Sequence, residues 1–257
     1  MAEPIRPKAV LFDLYNTLIA IQTVEDDPGV WAQLELFLSY SGAHANPGTL
    51  HDDFRRRIRA QQQASGQEYP EIDMVAIFRG ILADLCHPNP DTLALSVMQL
   101  FRALTMRHIG LFADTLPALD ALRPSVKLAL VSDAQRAWLE PEMRRVGLDG
   151  IFDIRIVSSD YGYRKPDPRL FRQALAQLGV QPDEAVFIGD SPYRDVCGAQ
   201  AVGMRGCLVT RHAPFEPQDR LCTPDLIFQT LIEFVRWIDA DAPFEGAIIA
   251  QQPGVGS

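Results

Sequence analysis

The chain has 257 residues, of which 47% are hydrophobic and 22% charged, so it can bury a sizeable core as one large domain or a core domain with an insert. Its formal net charge of −9 argues against nucleic acid or an anionic membrane as a partner, although a small site in an acidic protein can still be locally positive. No apolar run approaches the ~20 residues of a membrane span, and MAEPIRPKAVLFDL lacks the apolar length of a signal peptide, so a soluble cytoplasmic protein is expected.

Taken in chain order, Lys8–Phe12 (KAVLF) is a continuous apolar run closing on Asp13, which predicts a buried parallel strand. The next clear strand is Val126–Val131 (VKLALV), followed by Ser132. The interval between Leu18 and Val126 far exceeds the roughly 30 residues of a βαβ crossover, so most of it is an insertion. Val30, Leu34, Phe37 and Leu38 share a helical face, as do Leu93, Val97, Leu100, Phe101 and Leu104. Leu50–Ala64 and Glu71–Leu85 also read as helical, separated by Gly66 and Pro70 and then by His87–Pro90. The spacing predicts four helices in a bundle-like cap, hinged near Ile19–Gly29 and Gly110–Pro117.

Beyond Val126 strand and helix alternate. Strands are expected at Ile154–Val157, Ala185–Ile188, Gly206–Thr210 and Leu226–Phe228, and helices at Ala134–Val146, Pro168–Leu178, Arg194–Val202 and Gln229–Ile238. That alternation predicts an α/β fold, a doubly wound parallel sheet covered on both faces, with an inserted helical cap. The expected division is residues 1–19 and 111–240 for the core, 20–110 for the cap and 241–257 for a flexible tail. The four cysteines show no CxxC or metal-type spacing and are expected as free thiols. Arg55, Arg56, Arg57 and Arg59 read as a solvated helix face. The lysines are only Lys8, Lys127 and Lys165, a scarcity that base composition explains but that makes each one worth locating.

Ligands of open parallel sheets sit at the carboxyl ends of the strands. Asp13, Ser132 and Asp190 each follow a strong strand, so the sheet would bring all three to one edge. Two carboxylates there can hold Mg²⁺, a hard cation that prefers oxygen, and one of them, aimed at phosphorus, can act as a nucleophile.

The segments FDLYNTL (Phe12–Leu18), VSD (Val131–Asp133), YRKPDPRLF (Tyr163–Phe171) and FIGDSPYRDVCGA (Phe187–Ala199) resemble, in order and spacing, the four motifs of the haloacid dehalogenase-like hydrolase superfamily. The insertion after the first motif resembles that superfamily's C1-type cap, over a Rossmann-like core. The resemblance implies Asp13 as nucleophile and Ser132 as hydrogen-bond donor to the substrate, with Lys165 neutralising charge. It implies a Mg²⁺ site made by Asp13, the Tyr15 carbonyl, Asp190 and Asp195. Ser132, Asn16 and Lys165 would bind the small-molecule substrate. The plainer role for Asp195 is as a cap of the helix N-terminus. Nothing in the sequence sets an oligomeric state.

One position departs from the phosphatase pattern. Where ester-cleaving members carry a second Asp, two residues after the nucleophile, this chain has Tyr15, which resembles the branch that displaces halide from 2-haloacids. Against that branch stands the carboxylate of Asp190, and Ala20–Ser41 has no arginine to pair with a substrate carboxylate. The cap contains no lysine, which excludes the Schiff-base chemistry of carbon–phosphorus cleavage. The expected function is therefore Mg²⁺-dependent hydrolysis of a small phosphorylated metabolite through an aspartyl phosphate. The alternatives are dehalogenase-like C–X hydrolysis and a catalytically weak member that binds a metabolite or a partner.

Overall fold

A computed structural model describes residues 6–43, 45–211 and 221–239; the tail expected at 241–257 lies outside them. In chain order the elements are β1 (Ala9–Phe12), β2 (Ile19–Thr23), α1 (Pro28–Tyr40), α2 (Pro47–Ala64), α3 (Met74–Asp84) and α4 (Pro90–Thr105). There follow β3 (Met106–Leu111), α5 (Thr115–Leu122), β4 (Lys127–Ser132), α6 (Arg136–Val146), β5 (Ile154–Val157) and α7 (Pro168–Leu178). The chain then forms β6 (Ala185–Gly189), a wide helical turn over Pro192–Cys197 that runs into α8 (Gly198–Gln200), β7 (Arg205–Val209), β8 (Leu226–Phe228) and α9 (Leu231–Asp239).

Six strands form a parallel sheet in the order β5-β4-β1-β6-β7-β8. The chain leaves β1 toward both edges, so β1 lies at the switch point where open α/β sheets bind ligands. Strand alternation sends Val10, Phe12, Leu128, Leu130 and Ile188 to one face, against Leu119, Leu139, Met143 and Phe234. It sends Leu11, Ala129, Val131 and Phe187 to the other, against Leu170, Phe171, Ala174 and Leu178 of α7. Both faces are covered, which is why these strands read as unbroken apolar runs.

Helices α1–α4 bury a core of their own around Trp31, Phe54, Phe78 and Phe101. Neighbouring rings there lie 5.1–5.5 Å apart, within the range of favourable aromatic pairs. Asp27, Asn46 and Asp73 cap the first three of these helices through side-chain oxygens on backbone amides. Parts of the segments expected as hinges, Ile19–Gly29 and Gly110–Pro117, lie in strands. Ile19–Thr23 and Met106–Leu111 pair as an antiparallel two-stranded ribbon, with a register shift at Gln22/Thr23. Its half-exposed residues lack clean alternation, so period gave no strand signal.

Two further expectations change. Cys197 and Cys222 pair as a disulfide with Cα atoms 5.6 Å apart, leaving Cys86 and Cys207 free, so four free thiols is corrected to two. The pairing depends on the chain returning beside α8 after β7, which no local spacing announces. The helix expected at Arg194–Val202 begins at Pro192 as a wide turn. The arginine cluster behaves as expected of a solvated face: Arg57 pairs with Asp53 and Asp84, Arg56 with Asp53, and Arg55 lies 3.4 Å from Asp26. Among the described residues, no helix is long and apolar enough to cross a membrane.

Candidate active site

The register puts the polar residues on one edge. Phe12 is level with Leu130 of β4 and Ile188 of β6, so Asp13, Ser132 and Asp190 emerge side by side just beyond. The Asp13 amide donates to the Ile188 carbonyl at 3.1 Å, continuing the ladder through the carboxylate's own residue. Asp195 reaches the same place from the wide turn. Its side chain lies flat against the end of β6 because Gly189 has no Cβ; one there would overlap the Asp195 carboxylate.

Asp13, Asp190 and Asp195 each offer an oxygen within 4.8 Å of the others. The Lys165 ammonium donates to Asp13 at 2.5 Å and Asp195 at 2.6 Å, and is 3% exposed. The other two lysines serve the scaffold, Lys8 on Glu184 and Lys127 on the Leu178 carbonyl. Burial alone would pull the Lys165 ammonium down, but the Asp13 and Asp195 carboxylates hold it above its ordinary value. Asp190 is pushed up to about 8 by burial and then by Asp13 and Asp195, and burial likewise raises Asp195. The Lys165 ammonium and the nearby Arg194 guanidinium bring two positive charges against three clustered carboxylates. The donor set is all oxygen and short of positive charge, which fits a divalent cation.

The electrostatics set a stability prediction. The folded pKa of Asp190 lies above an unfolded ~3.9. Its stabilising share is therefore full below that value and lost as pH rises through about 8. In chelator the protein should lose stability between roughly pH 4 and pH 8, and Asp190→Asn should flatten that slope and melt a few degrees higher at pH 8. A melting curve against pH that is identical in both proteins would show the repulsion to be absent.

Ser132 is fully buried and its hydroxyl has no hydrogen-bond partner among the described residues. Such an orphan costs about 1–3 kcal/mol, so its presence points to a partner supplied by a ligand. Ser132→Ala should leave stability unchanged or raise it by about 1 kcal/mol, while lowering turnover about 10²-fold. Lower stability together with full activity would mark the hydroxyl as structural.

A cavity of about 310 Å³ opens beside these strand ends. Its lining includes Tyr15, Asp133, Arg164 and Arg194 from the core and Glu71, Met74 and Arg102 from the helical insertion. Of these, Asp133 and Arg164 flank motif residues without a role of their own in the sequence, and no sequence signal marks Glu71, Arg102 or Arg194. Asp133 accepts from the Lys165 amide at 2.8 Å through one oxygen while the other has no partner among the described residues, and burial pushes its carboxyl up to about 6. A larger, more open cavity of about 710 Å³ lies between α4, β3 and α6, away from the carboxylates.

Tyr15 and Asn16 are placed differently from the other expected residues. The Tyr15 hydroxyl donates to Glu142 of α6 at 2.5 Å, and burial together with that carboxylate raises its pKa well above the ordinary value. A phenol so committed has no proton to offer a leaving group. Asn16 takes a positive φ of 61°, which Asn tolerates better than most residues, and its backbone N–H donates to the Ile19 carbonyl at 2.7 Å. It shapes the turn after the nucleophile. Thr17, not singled out in the sequence, sets its hydroxyl 3.3 Å from both Asp13 and Asp190.

Comparison with known proteins agrees with this architecture. A phosphoserine phosphatase of Thermus thermophilus is 38% identical over 107 residues, which span 42% of each chain. A glyceraldehyde 3-phosphate phosphatase of Methanopyrus kandleri is 26% identical over 241 residues, covering 91% of this chain and 99% of that one. Among solved structures, a 2-haloacid dehalogenase of Pseudomonas syringae shares the fold with a TM-score of 0.66 at 23% identity, over 90% of this chain and 98% of that one. The model of the haloacid dehalogenase-like hydrolases matches residues 7–203, four strand-end motifs included, and the chain belongs to that family.

Proposed function

We propose that the protein is a Mg²⁺-dependent phosphohydrolase acting on a small phosphorylated metabolite. The observation that carries this reading is the charge-deficient cluster of Asp13, Asp190 and Asp195, since displacement of halide by a carboxylate calls for no cation. The phosphatase names of the relatives point the same way. Residues 20–110 act as the cap that closes over residues 1–19 and 111–240.

In this reading an Asp13 oxygen attacks phosphorus and forms an aspartyl phosphate, which water then cleaves. Lys165 holds Asp13 in place and offsets charge on the transferring group. Ser132 donates its free hydroxyl to a non-bridging oxygen. Mg²⁺ bound by the three carboxylates and the Tyr15 carbonyl would supply the positive charge that phosphoryl transfer demands. With the Tyr15 hydroxyl turned to Glu142, the leaving oxygen receives no proton from that position. Acyl phosphates and aryl phosphates should therefore turn over faster than alkyl phosphates by about 10²-fold, the lower end of what a positioned acid contributes.

The second reading, carbon–halogen hydrolysis, is favoured only by the tyrosine at position 15. A panel of phosphorylated metabolites with Mg²⁺ and with EDTA, run beside halide release from 2-chloropropionate, separates the two. Phosphate release that EDTA stops, and that Asp190→Ala cannot perform, is the expected result. Halide release that persists in EDTA would replace this reading with the second, and silence in both assays would leave a binding protein.

A further inference from the structure

Three side chains from three separate stretches meet beside the nucleophile. Arg102, near the end of α4 in the insertion, reaches Glu142 of the core helix α6 with its Nε at 2.6 Å and an Nη at 3.2 Å. Glu142 is 4% exposed, and its second oxygen also takes the Tyr15 hydroxyl at 2.5 Å. The Arg102 guanidinium lies 5.6 Å from the centre of the Tyr15 ring and 5.0 Å from that of Trp138. Trp138 in turn donates its indole N–H to the Met98 carbonyl of α4 at 3.1 Å.

The position of this group is informative. Arg102 and Trp138 line both the cavity beside the nucleophile and the larger open cavity behind α6, so they form the partition between them. A surface ion pair there would matter little, but this one is buried. Its carboxylate spends both oxygens, one on the cap's arginine and the other shared between that arginine and the tyrosine of the nucleophile loop. A buried carboxylate deprived of one donor is strongly disfavoured, so the contacts stand or fall together.

We propose that Arg102 and Glu142 are positioning residues that transmit cap closure to the reacting group: Arg102 arrives with the cap and fixes Glu142. Glu142 then holds the Tyr15 hydroxyl, and so the Tyr15 ring, in the wall of the smaller cavity, next to the partition that Arg102 and Trp138 make. The kinetic part of this proposal rests on the phosphohydrolase reading; the closure part does not. Closure of this kind excludes water from the attack on phosphorus and keeps Asp13 aligned, effects that appear in turnover more than in binding.

The test is a double-mutant cycle of Arg102→Gln and Tyr15→Phe, with Arg102→Lys as the gentler variant should the first fold poorly. With the best substrate of the metabolite panel, each single change should lower kcat at least tenfold and leave KM within about threefold, because Ser132 and Lys165 still bind the phosphoryl group. The double variant should be no slower than the slower single one, since both break the same relay. Losses that multiply, or that fall on KM alone, overturn the proposal. Amide exchange provides a readout without turnover: Tyr15→Phe, which removes one oxygen from the core, should speed exchange in β2 and β3, the ribbon that joins the cap. Unchanged exchange there in both variants overturns the latch. Faster exchange in a protein that hydrolyses no phosphate ester keeps the latch and rejects the phosphohydrolase reading instead.

Discussion

Asp13→Asn should abolish turnover, by at least 10³-fold, and leave the protein folded with an unchanged or higher melting temperature. A carboxylate oxygen attacks phosphorus or carbon; the amide oxygen that replaces it is a far weaker nucleophile. A loss of 10³-fold corresponds to about 4 kcal/mol of barrier, more than repositioning of one side chain would explain. The fold should tolerate the change for electrostatic reasons. Asp13 is 7% exposed and adds to the repulsion that lifts Asp190, so a neutral isostere relieves the cluster while its oxygen still accepts from Lys165. Denaturing wild-type protein in mid-turnover should trap a phosphoryl group on the chain, readable by mass, and the Asn variant should trap none. Near-wild-type turnover by the Asn variant would remove Asp13 from the chemistry, and with it both the phosphatase and the dehalogenase readings.

Asp13 could be found in the sequence because its cause is local. A buried parallel strand has no polar side chain until it ends, so KAVLF, KLALV and AVFIG each announce the residue that follows. Parallel register then gathers those residues without further information. Residues such as Glu142 and Arg102 carry no such mark. Each sits in an amphipathic helix where a charge is normally solvated, and their pairing exists only because α4 crosses α6. The Cys197–Cys222 bond and the β2–β3 ribbon are hidden for the same reason, being contacts made by returning chain. The motif lysine lies between these cases. Its scarcity marks it and the resemblance implies Asp195 as a metal ligand, but the pairing of the two has no sequence signal, because it exists only where the wide turn after β6 brings the Asp195 side chain back under Gly189.

Lys165→Met should be the most destabilising of the single changes at the site, and should also cut turnover by 10³-fold or more. Met retains most of the apolar stem and adapts to irregular space, so the variant tests the charge and not the packing. In the wild type one ammonium is shared by Asp13 and Asp195, both nearly out of contact with solvent. Removing it leaves a buried carboxylate cluster with no bonded cation. Breaking a buried ion pair from one side costs about 3–5 kcal/mol, which for a chain of this size is a fall in melting temperature of roughly 6–20 °C. Because burial and its neighbours push Asp190 up to about 8, the deficit in chelator should shrink toward pH 4, where that carboxyl is protonated and the repulsion falls. Mg²⁺ should restore part of the lost stability at pH 8, since a divalent cation meets the same deficit of charge, but it should not restore turnover, which needs the ammonium against Asp13. A deficit under 2 °C that ignores both pH and Mg²⁺ would mean that Arg194 already balances the cluster, and that Lys165 is not the counter-charge on which the site depends.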